Sequence, residues 1–375
     1  MAGPSAAAGL ASGAVLEQPV VGAVLAVAGA AAVRARIAGL SPPTLATGVV
    51  AGGAAALVTR QVWPLAPRTP AEIRSTHTSL DVEPGKDGHG LTIVVNQSAG
   101  SSERCADVLR DRLAEAEVLE VGDGLDLATA IEKAVADARV LGIAGGDGSI
   151  NAAAAVAHKA DKPLFVVPAG TLNHLARDLG LTDADDAVTA FRQGHTVAVD
   201  LGTIDGRPFL NTASVGGYTD LVDARERLQG RIGKWPALLV ALAGFSRRGT
   251  PVRVELDGKE RSLWMIFVGN CGYRPAGFAP TWRERLDDGV LDVRLVDAAS
   301  PWGRLRLLLA VVTGRLGRCR VYEAFNTSEL RVKALDGPLR LARDGETFDG
   351  SSEFSVKKEE RPLAIYVPRS EHSPA

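Results

Sequence analysis

Cysteine is scarce in this sequence, and the three cysteines that occur lie far apart. Cys105, Cys271 and Cys319 form no C-x-x-C pair, and the six histidines lack metal-ligand spacing. A disulfide framework and a zinc site are therefore not expected, and a reducing compartment fits the composition. The simplest expectation for the three cysteines is that they are small buried side chains.

A strong charge of either sign is also missing. The 42 basic and 44 acidic residues give a formal net charge of -2, which argues against nucleic acid as a partner because no global attraction to its phosphates results. With 46% hydrophobic and 23% charged residues, the chain is expected to be globular. Its length of 375 residues predicts two globular units and an appendage.

Three common site motifs are missing as well. The sequence contains no G-x-x-x-x-G-K-[ST] loop and no G-x-G-x-x-G after the first predicted strand. An ordinary P-loop and a Rossmann dinucleotide site are therefore not expected. No Ser-His-Asp arrangement is visible either, so the sequence gives no sign of a serine hydrolase.

Residues 1–67 carry little charge and are rich in Ala, Val, Gly and Leu. Their two apolar runs, 19–33 and 44–58, are about 15 residues long, whereas a simple membrane span needs roughly 20. A membrane-embedded hairpin, a soluble pair of hydrophobic helices and a disordered Ala-rich tail all stay open. We expect a hydrophobic helical segment that is a candidate membrane anchor, followed by a polar linker over 68–90.

The stretch 91–200 alternates short β-branched runs with helical patterns. Strands are predicted at 91–96, 117–121, 139–144 and 163–168. This alternation is typical of βαβ units and predicts an α/β domain with a parallel sheet. Ligands of such sheets bind at the carboxyl ends of the strands, so a binding site is expected at that edge.

Beyond residue 200 the pattern changes to strand-like segments with Asp-Gly turns between several of them. This sequence pattern predicts a second domain over 201–375 that is mostly antiparallel and forms a β-sandwich. Its last strand, in the segment "LAIYVP", can return to the first domain.

A first glycine loop follows the third predicted strand, where Gly145, Gly146 and Gly148 surround Asp147. Glycines let the backbone approach a phosphate, and the helix that follows presents free N–H groups. Asp147 would repel a phosphate, so it indicates either an intervening Mg²⁺ or a carboxylate that orients the loop. By itself, a plain turn capped by Asp147 fits the pattern equally well.

A second loop, "PAGTLNHLAR", begins where the fourth predicted strand ends. Gly170 shapes a turn, Thr171 offers a hydroxyl, and the Asn173 amide can face a ribose or a phosphate. The competing interpretation is a helix start with Thr171 as its cap. Because consecutive parallel strands are usually neighbours, both loops should open on one crevice, which favours a nucleotide site.

A third element places Asp344 and Glu346 around Gly345 in the segment "RDGETFDG". An exposed hairpin turn is the competing interpretation, since Asp-Gly is common there. The functional interpretation is a base or metal pair. In phosphoryl transfer a carboxylate can accept the proton of the attacking hydroxyl while Mg²⁺ and amide donors hold the phosphates.

Together these three motifs resemble the diacylglycerol kinase catalytic-domain family, which includes bacterial lipid kinases and sphingosine kinases. The resemblance covers residues 90–369. The segment "VVNQSAGS" is similar to the family's first-strand motif, with Asn96 and Gly100 kept and Gln97 where proline is usual. Ser149 stands where threonine is usual, and His174 replaces a frequent aspartate, which leaves any role of that position open.

The resemblance implies ATP and Mg²⁺ as cofactors and gives each motif a role. Asp344 would be the proton acceptor, and Glu346 would support it or Mg²⁺. A structural Mg²⁺ would be held by Asp288 with backbone oxygens of Arg285 and Val290. The residues implied in nucleotide binding are Asn96, Gly145, Gly146, Asp147, Gly148, Ser149, Asn151, Gly170, Thr171 and Asn173.

The expected function is transfer of the γ-phosphate of ATP to a lipid hydroxyl, on diacylglycerol or a related lipid. An NAD kinase-like enzyme, a small-polyol kinase of the same fold and a non-catalytic nucleotide-binding regulator are the alternatives. NAD kinases typically carry Asp-Gly-Gln where this chain has Asp344-Gly345-Glu346, so the lipid branch fits better. A location at the cytoplasmic face of a membrane is expected, with a lipid and the membrane surface as partners, and a homodimer is compatible with the sequence.

The apolar segment at 35–67 has a resemblance of its own, to the last membrane segment of type 2 phosphatidic acid phosphatases. Ser41 and Leu45 stand where that family has its catalytic His and a neighbouring Asp, and the upstream phosphatase motifs are missing. This resemblance implies a degenerate membrane anchor without phosphatase activity.

Overall fold

The architecture comes from a computed structural model, which describes residues 78–81, 87–122, 126–171, 173–216, 250–274, 282–303, 306–307, 310 and 315–369. The predicted hydrophobic helical segment and the phosphatase-like remnant at 1–67 lie outside the described residues. None of the helices within the described ranges is both long enough and apolar enough to span a bilayer.

Two helices of the described residues begin at a capping aspartate, and one of these ends at the left-handed Gly194. The side chain of Asp126 accepts the N–H of Thr129, and that of Asp183 accepts the N–H of Asp186. Such caps satisfy free N–H groups at a helix start. The helices are α1 (Ser102–Arg112), α2 (Leu127–Asp137), α3 (Asp147–Lys159), α4 (His174–Asp178) and α5 (Ala184–Gln193), with a 3-10 helix at Leu316–Arg318.

The first sheet has seven strands in the order β1-β6-β20-β5-β4-β2-β3. Its strands are β1 (Ser79–Asp81), β2 (Leu91–Asn96), β3 (Glu117–Val121), β4 (Val140–Gly145), β5 (Leu164–Pro168), β6 (His195–Val199) and β20 (Leu363–Tyr366). Neighbouring strands from β3 to β20 are parallel to each other, whereas β6 is antiparallel to β20 and β1 is antiparallel to β6. The predicted α/β fold with a parallel sheet is therefore confirmed.

The second sheet has eleven strands, and all of its pairings with a described register are antiparallel. They are β7 (Gly202–Ile204), β8 (Arg207–Phe209), β9 (Thr212–Gly216), β10 (Val252–Leu256), β11 (Lys259–Asn270), β14 (Leu291–Asp297), β15 (Tyr322–Thr327), β16 (Glu329–Ala334), β17 (Arg340–Arg343), β18 (Glu346–Asp349) and β19 (Glu353–Lys358). Two short strands, β12 (Tyr273–Arg274) and β13 (Trp282–Arg283), lie apart from it.

The expected antiparallel pairing is thus confirmed, but these strands form one curled sheet and not two separate ones. The cause is the long strand β11, which changes partner along its length. Its residues 259–263 pair with β10, its residues 265–269 pair with β9, and β14 runs along its other edge. A register shift between Leu263 and Met265 marks the place of the change, and such irregularities bend a strand.

Two strands of the first sheet, β1 and β20, come from segments outside the predicted α/β alternation. The predicted linker over 68–90 contains the strand β1. The sequence does not reveal this strand because it is only three residues long, lies at the edge of the sheet and has polar neighbours. The strand β20 lies between β5 and β6, where the ring of Tyr366 lies 5.1 Å from that of Phe191. One compact unit, made of the described residues within 68–273, 282–299 and 324–375, contains both sheets apart from the start of β15.

Candidate active site

The two glycine loops lie side by side at the carboxyl ends of β4 and β5. Gly145 is paired with Pro168, and the N–H of Ala169 donates to the carbonyl of Gly145 at 3.0 Å. The backbones then approach so closely that a Cβ on Gly170 would lie 2.4 Å from the Cα of Gly146. Only glycine at residue 170 allows this approach, and it leaves the N-terminus of α3 accessible to an anion.

Asp147 joins the two loops. Its Oδ1 atom accepts the backbone N–H of His174, the first residue of α4, at 2.7 Å. This contact fits a carboxylate that orients the loops, and a role of Asp147 toward Mg²⁺ stays a prediction. The side chain of His174 is exposed, and only its backbone takes part in this contact.

Asn173 closes the second loop on itself. Its Oδ1 atom accepts the N–H of Gly170 at 3.0 Å, and its Nδ2 atom donates to the carbonyl of the same residue at 2.8 Å. The residue has a left-handed backbone with φ of 48° and directly precedes α4. Thr171 is therefore not the helix cap; it is exposed beside the crevice, where its hydroxyl can reach a ligand.

Asn96, at the end of β2, and Ser149, in the first turn of α3, are hydrogen-bonded to each other beside the first glycine loop. The Nδ2 atom of Asn96 donates to the Oγ atom of Ser149 at 2.9 Å, and Ser149 is buried. A Cβ on Gly145 would lie 2.6 Å from the Cβ of Ser149, so a side chain there would displace this contact. Asn151 is buried in α3, four residues after Asp147, and its Oδ1 atom has no donor among the described residues.

Asp344 lies in a cradle of three backbone N–H groups. Its Oδ2 atom accepts the N–H of Leu210 at 2.8 Å, and its Oδ1 atom accepts those of Asn211 and Thr212 at 2.8 and 2.9 Å. A carboxylate has about four acceptor positions. One position on Oδ2 therefore remains for a hydroxyl proton.

The protonation of Asp344 is set by opposing effects. Loss of water around the carboxyl raises its pKa, and the N–H groups of Leu210, Thr212 and Asn211 lower it in part, as does the charge of Arg283. The net direction is upward from the ordinary value of an aspartate. A raised pKa brings a carboxylate closer to the range useful for a general base.

Glu346 carries the second carboxylate to the first glycine loop. The turn between β17 and β18 has left-handed backbone at Asp344 and Gly345, with φ of 44° and 90°. Beyond the turn, Glu346 is exposed, and a Cβ on Gly148 would lie 3.5 Å from its Oε1 atom. The structure therefore brings the Glu346 carboxylate of the third motif to the N-terminus of α3, beside the two glycine loops.

The expected metal site at Asp288 lies away from these loops. Asp288 accepts the N–H groups of Gly272 at 2.8 Å and of Val290 at 3.1 Å. Its carboxylate forms a group with the carboxylate of Asp200 and the thiol of Cys271, whose ligand atoms all lie within 4.8 Å of one another.

The atoms around Asp288 differ in how well they suit Mg²⁺ as ligands. The Asp288 carboxylate and the backbone oxygens of Arg285 and Val290 are the hard oxygen donors that Mg²⁺ prefers. Burial raises the pKa of the Cys271 thiol to about 12, and sulfur is a soft donor that suits Mg²⁺ less well than oxygen does. The Nζ atom of Lys358 lies 3.0 Å from Asp200 Oδ2, so this ammonium already neutralises the second carboxylate.

Two parts of the site are not apparent from the amino-acid sequence. The segment Leu210–Thr212, which cradles Asp344, lies within a run of strand-like residues and acts only through its backbone. Arg283, which contacts that segment, is 0% exposed, although charged side chains are usually exposed. No periodicity or spacing in the sequence distinguishes this arginine from those near it.

Two family models match this chain. Residues 90–204 match the diacylglycerol kinase catalytic domain. Residues 217–367 match the YegS C-terminal NAD kinase beta sandwich-like domain. The two matches follow one another along the chain, and the first contains both glycine loops.

Whole proteins are similar over most of their length. A probable lipid kinase YegS-like of Pseudomonas fluorescens (strain Pf-5) is 30% identical over 265 residues, covering 68% of this chain and 85% of that protein. A diacylglycerol kinase of Mycobacterium tuberculosis (strain H37Rv) is 29% identical over 241 residues, covering 60% and 75%. A crystal structure of a diacylglycerol kinase from Bacillus anthracis (strain Sterne) aligns with a TM-score of 0.53 at 15% identity, over 74% of this chain and 96% of that one. The last likeness concerns the fold alone.

Proposed function

The chain belongs to the diacylglycerol kinase catalytic-domain family of lipid kinases, and from this premise we propose that it transfers the γ-phosphate of ATP to the hydroxyl of diacylglycerol or a related lipid. The observation that carries the proposal is the approach of Glu346 to Gly148 at the N-terminus of α3, with Glu346 two residues after the cradled Asp344. This approach supports a phosphate donor site and a proton acceptor that lie close together.

The donor side of the reaction uses backbone groups. The free N–H groups and the positive dipole end at the start of α3 suit the phosphates of ATP, and the glycines at 146 and 170 leave room for them. Thr171 offers a hydroxyl at the same crevice. Mg²⁺, when bound, neutralises charge on the transferred phosphate, and the Glu346 carboxylate is the group that would hold it there.

The acceptor side uses Asp344. The lipid hydroxyl donates its hydrogen bond to the open position on Oδ2 and loses its proton to it as the oxygen attacks the γ-phosphorus. The new P–O bond forms as the bond between the β- and γ-phosphates breaks. The products are the phosphorylated lipid and ADP, and the proton leaves Asp344 to solvent.

The lipid is met at a membrane surface in this proposal. Trp302 is 76% exposed, and it is the large hydrophobic side chain that the described part of the chain leaves in solvent. No Asp or Glu occurs from residue 298 to 322, whereas five arginines do. An exposed indole among arginines suits the headgroup region of an anionic bilayer, and the apolar runs at 1–67 would add an anchor.

A lipid panel tests the proposed function. Purified full-length chain is expected to transfer labelled phosphate from ATP to diacylglycerol, or to another hydroxyl lipid, in vesicles that contain anionic phospholipid. NAD and small polyols serve as matched acceptors in the same buffer. Transfer to NAD or to a polyol but to none of the lipids would overturn the proposal, as would ATP binding without transfer to any acceptor.

The acid limb of the pH–rate profile is expected above the ordinary pKa of an aspartate, about 4. Because the pKa of Asp344 is raised, this base stays protonated and inactive up to a higher pH, so kcat/KM rises with pH later than it would for a solvent-exposed carboxylate. Initial rates over a pH series give the limb, and circular dichroism over the same series detects unfolding. A limb at or below about 4 in folded protein would contradict this assignment.

A further inference from the structure

Arg283 is a fully buried cation at the end of β13, and all five of its N–H donors are engaged. Nε and Nη2 donate to Asp178 Oδ2 at 2.9 and 2.7 Å. Nη2 also donates to Asn211 Oδ1 at 2.9 Å, and Nη1 donates to the carbonyl groups of Leu210 and Asn270 at 2.6 and 3.2 Å. Its guanidinium also lies over the ring of Tyr273, 5.3 Å from the centroid.

These partners belong to the two sides of the candidate active site. Asp178 is the last residue of α4, whose first N–H, at His174, binds Asp147 of the phosphate loop. Leu210 and Asn211 are two of the three residues whose N–H groups hold Asp344. A continuous set of contacts therefore runs from the first glycine loop, through α4 and Arg283, to the proton acceptor.

We infer that Arg283 is a positioning residue for phosphoryl transfer, which fixes the cradle of Asp344 relative to the nucleotide loops. The inference rests on the proposed lipid kinase function for its kinetic consequence. Arg283 is thereby assigned a role in the reaction that needs no contact with ATP or lipid, because it acts through residues 210–212.

Arginine suits this position because its donors form a rigid planar fork. A lysine keeps the charge but has only three donors on a flexible stem, so at least two of the five present hydrogen bonds are lost. The segment 210–212 then loses contacts at the Leu210 carbonyl or the Asn211 side chain, and the Nδ2 atom of Asn270 remains as a donor to that carbonyl. An error of about 1 Å in the placement of a catalytic group lowers a rate by about 10²-fold.

The variant Arg283→Lys is therefore expected to lower kcat by about 10- to 100-fold while KM for ATP stays within about threefold. Arg294→Lys is the matched control. Arg294 is also buried, pairs with Asp292 at 2.6 Å and lies over the ring of Phe267. It donates to the carbonyl of Tyr273 at 3.2 Å, and the described contacts link it to residues 210–212 through this tyrosine, whose hydroxyl donates to the Asn211 carbonyl. The kcat of this control is expected to stay within about threefold of the unmodified chain, whatever its effect on thermal stability.

Hydrogen exchange supplies a readout that does not depend on activity. In Arg283→Lys the amide protons of Leu210, Asn211 and Thr212 are expected to lose about tenfold or more of their protection, while those of β2 keep theirs. If the lysine variant does not fold, Asp178→Asn removes the same ion pair from its other partner and is measured in the same way. A folded variant with unchanged kcat and unchanged protection at 210–212 would overturn the inference.

Two other outcomes are informative. Equal loss of kcat in Arg294→Lys would show that any buried arginine has this effect, and the positioning role would be wrong. If the unmodified chain phosphorylates no lipid, the proposed function fails, but the exchange of the amides at 210–212 still decides whether Arg283 fixes the cradle.

Discussion

Replacement of Asp344 by Asn is expected to lower kcat by about 10³-fold, with little change in the binding of ATP. The amide cannot accept the hydroxyl proton, whereas the glycine loops that bind phosphate are unchanged. One of the three cradle N–H groups would also face the new NH₂ group. A loss of stability of about 1–3 kcal/mol is therefore expected as well.

Turnover is followed by ADP release, ATP binding by calorimetry and stability by thermal unfolding, so that the three effects are separated. Asp349→Asn is the matched control. Asp349 lies at the far end of the same hairpin, pairs with Arg340 at 3.4 Å and is exposed, so its replacement should leave turnover unchanged. If Asp344→Asn retains turnover within about tenfold, another group accepts the proton, and Glu346→Gln becomes the decisive variant.

Gly170→Ala is expected to have the second large effect, a loss of affinity for ATP of about tenfold or more together with lower stability. The new Cβ would lie 2.4 Å from the Cα of Gly146 and 2.9 Å from Asn173 Oδ1. The first of these is a backbone atom that cannot rotate away, so one glycine loop must shift. Such overpacking typically costs about 1–3 kcal/mol.

The measurement is ATP binding by calorimetry and thermal unfolding of the purified variant. Gly317→Ala is the control, because a Cβ there meets nothing within 4 Å and the backbone is not in the left-handed region. Unchanged ATP affinity in Gly170→Ala would contradict the placement of the phosphates between these loops. Equal losses in both variants would point to a general effect on folding.

Four strands of the first sheet, β2 to β5, are well predicted because their signal is local. The run "LTIVVN" predicted a strand over residues 91–96, and β2 has these bounds. The place of Asp147 was predicted as well, but its partner was not. The N–H that it accepts, from His174, becomes apparent only when β4 and β5 lie side by side.

The parts that escaped prediction depend on contacts between distant residues. Asp344 is held by backbone groups more than a hundred positions earlier in the chain, and backbone N–H groups have the same chemistry in every residue except proline. Arg283 likewise has partners at Asp178 and Leu210. Its burial follows from the packing of several elements, which no local pattern encodes. The single curled sheet arises in the same way, from a change of partner along β11.

The place of β20 in the first sheet has a consequence for the order in which the chain folds during synthesis. β5 ends at Pro168 and β20 begins at Leu363, about 195 residues later, which takes roughly 10 to 40 s at 5–20 residues per second. During that time the edges of β5 and β6 that later flank β20 stay unpaired. The nucleotide loops therefore reach a complete sheet only after the strands of the second sheet have left the ribosome, and the interval favours protection of the nascent chain by a chaperone.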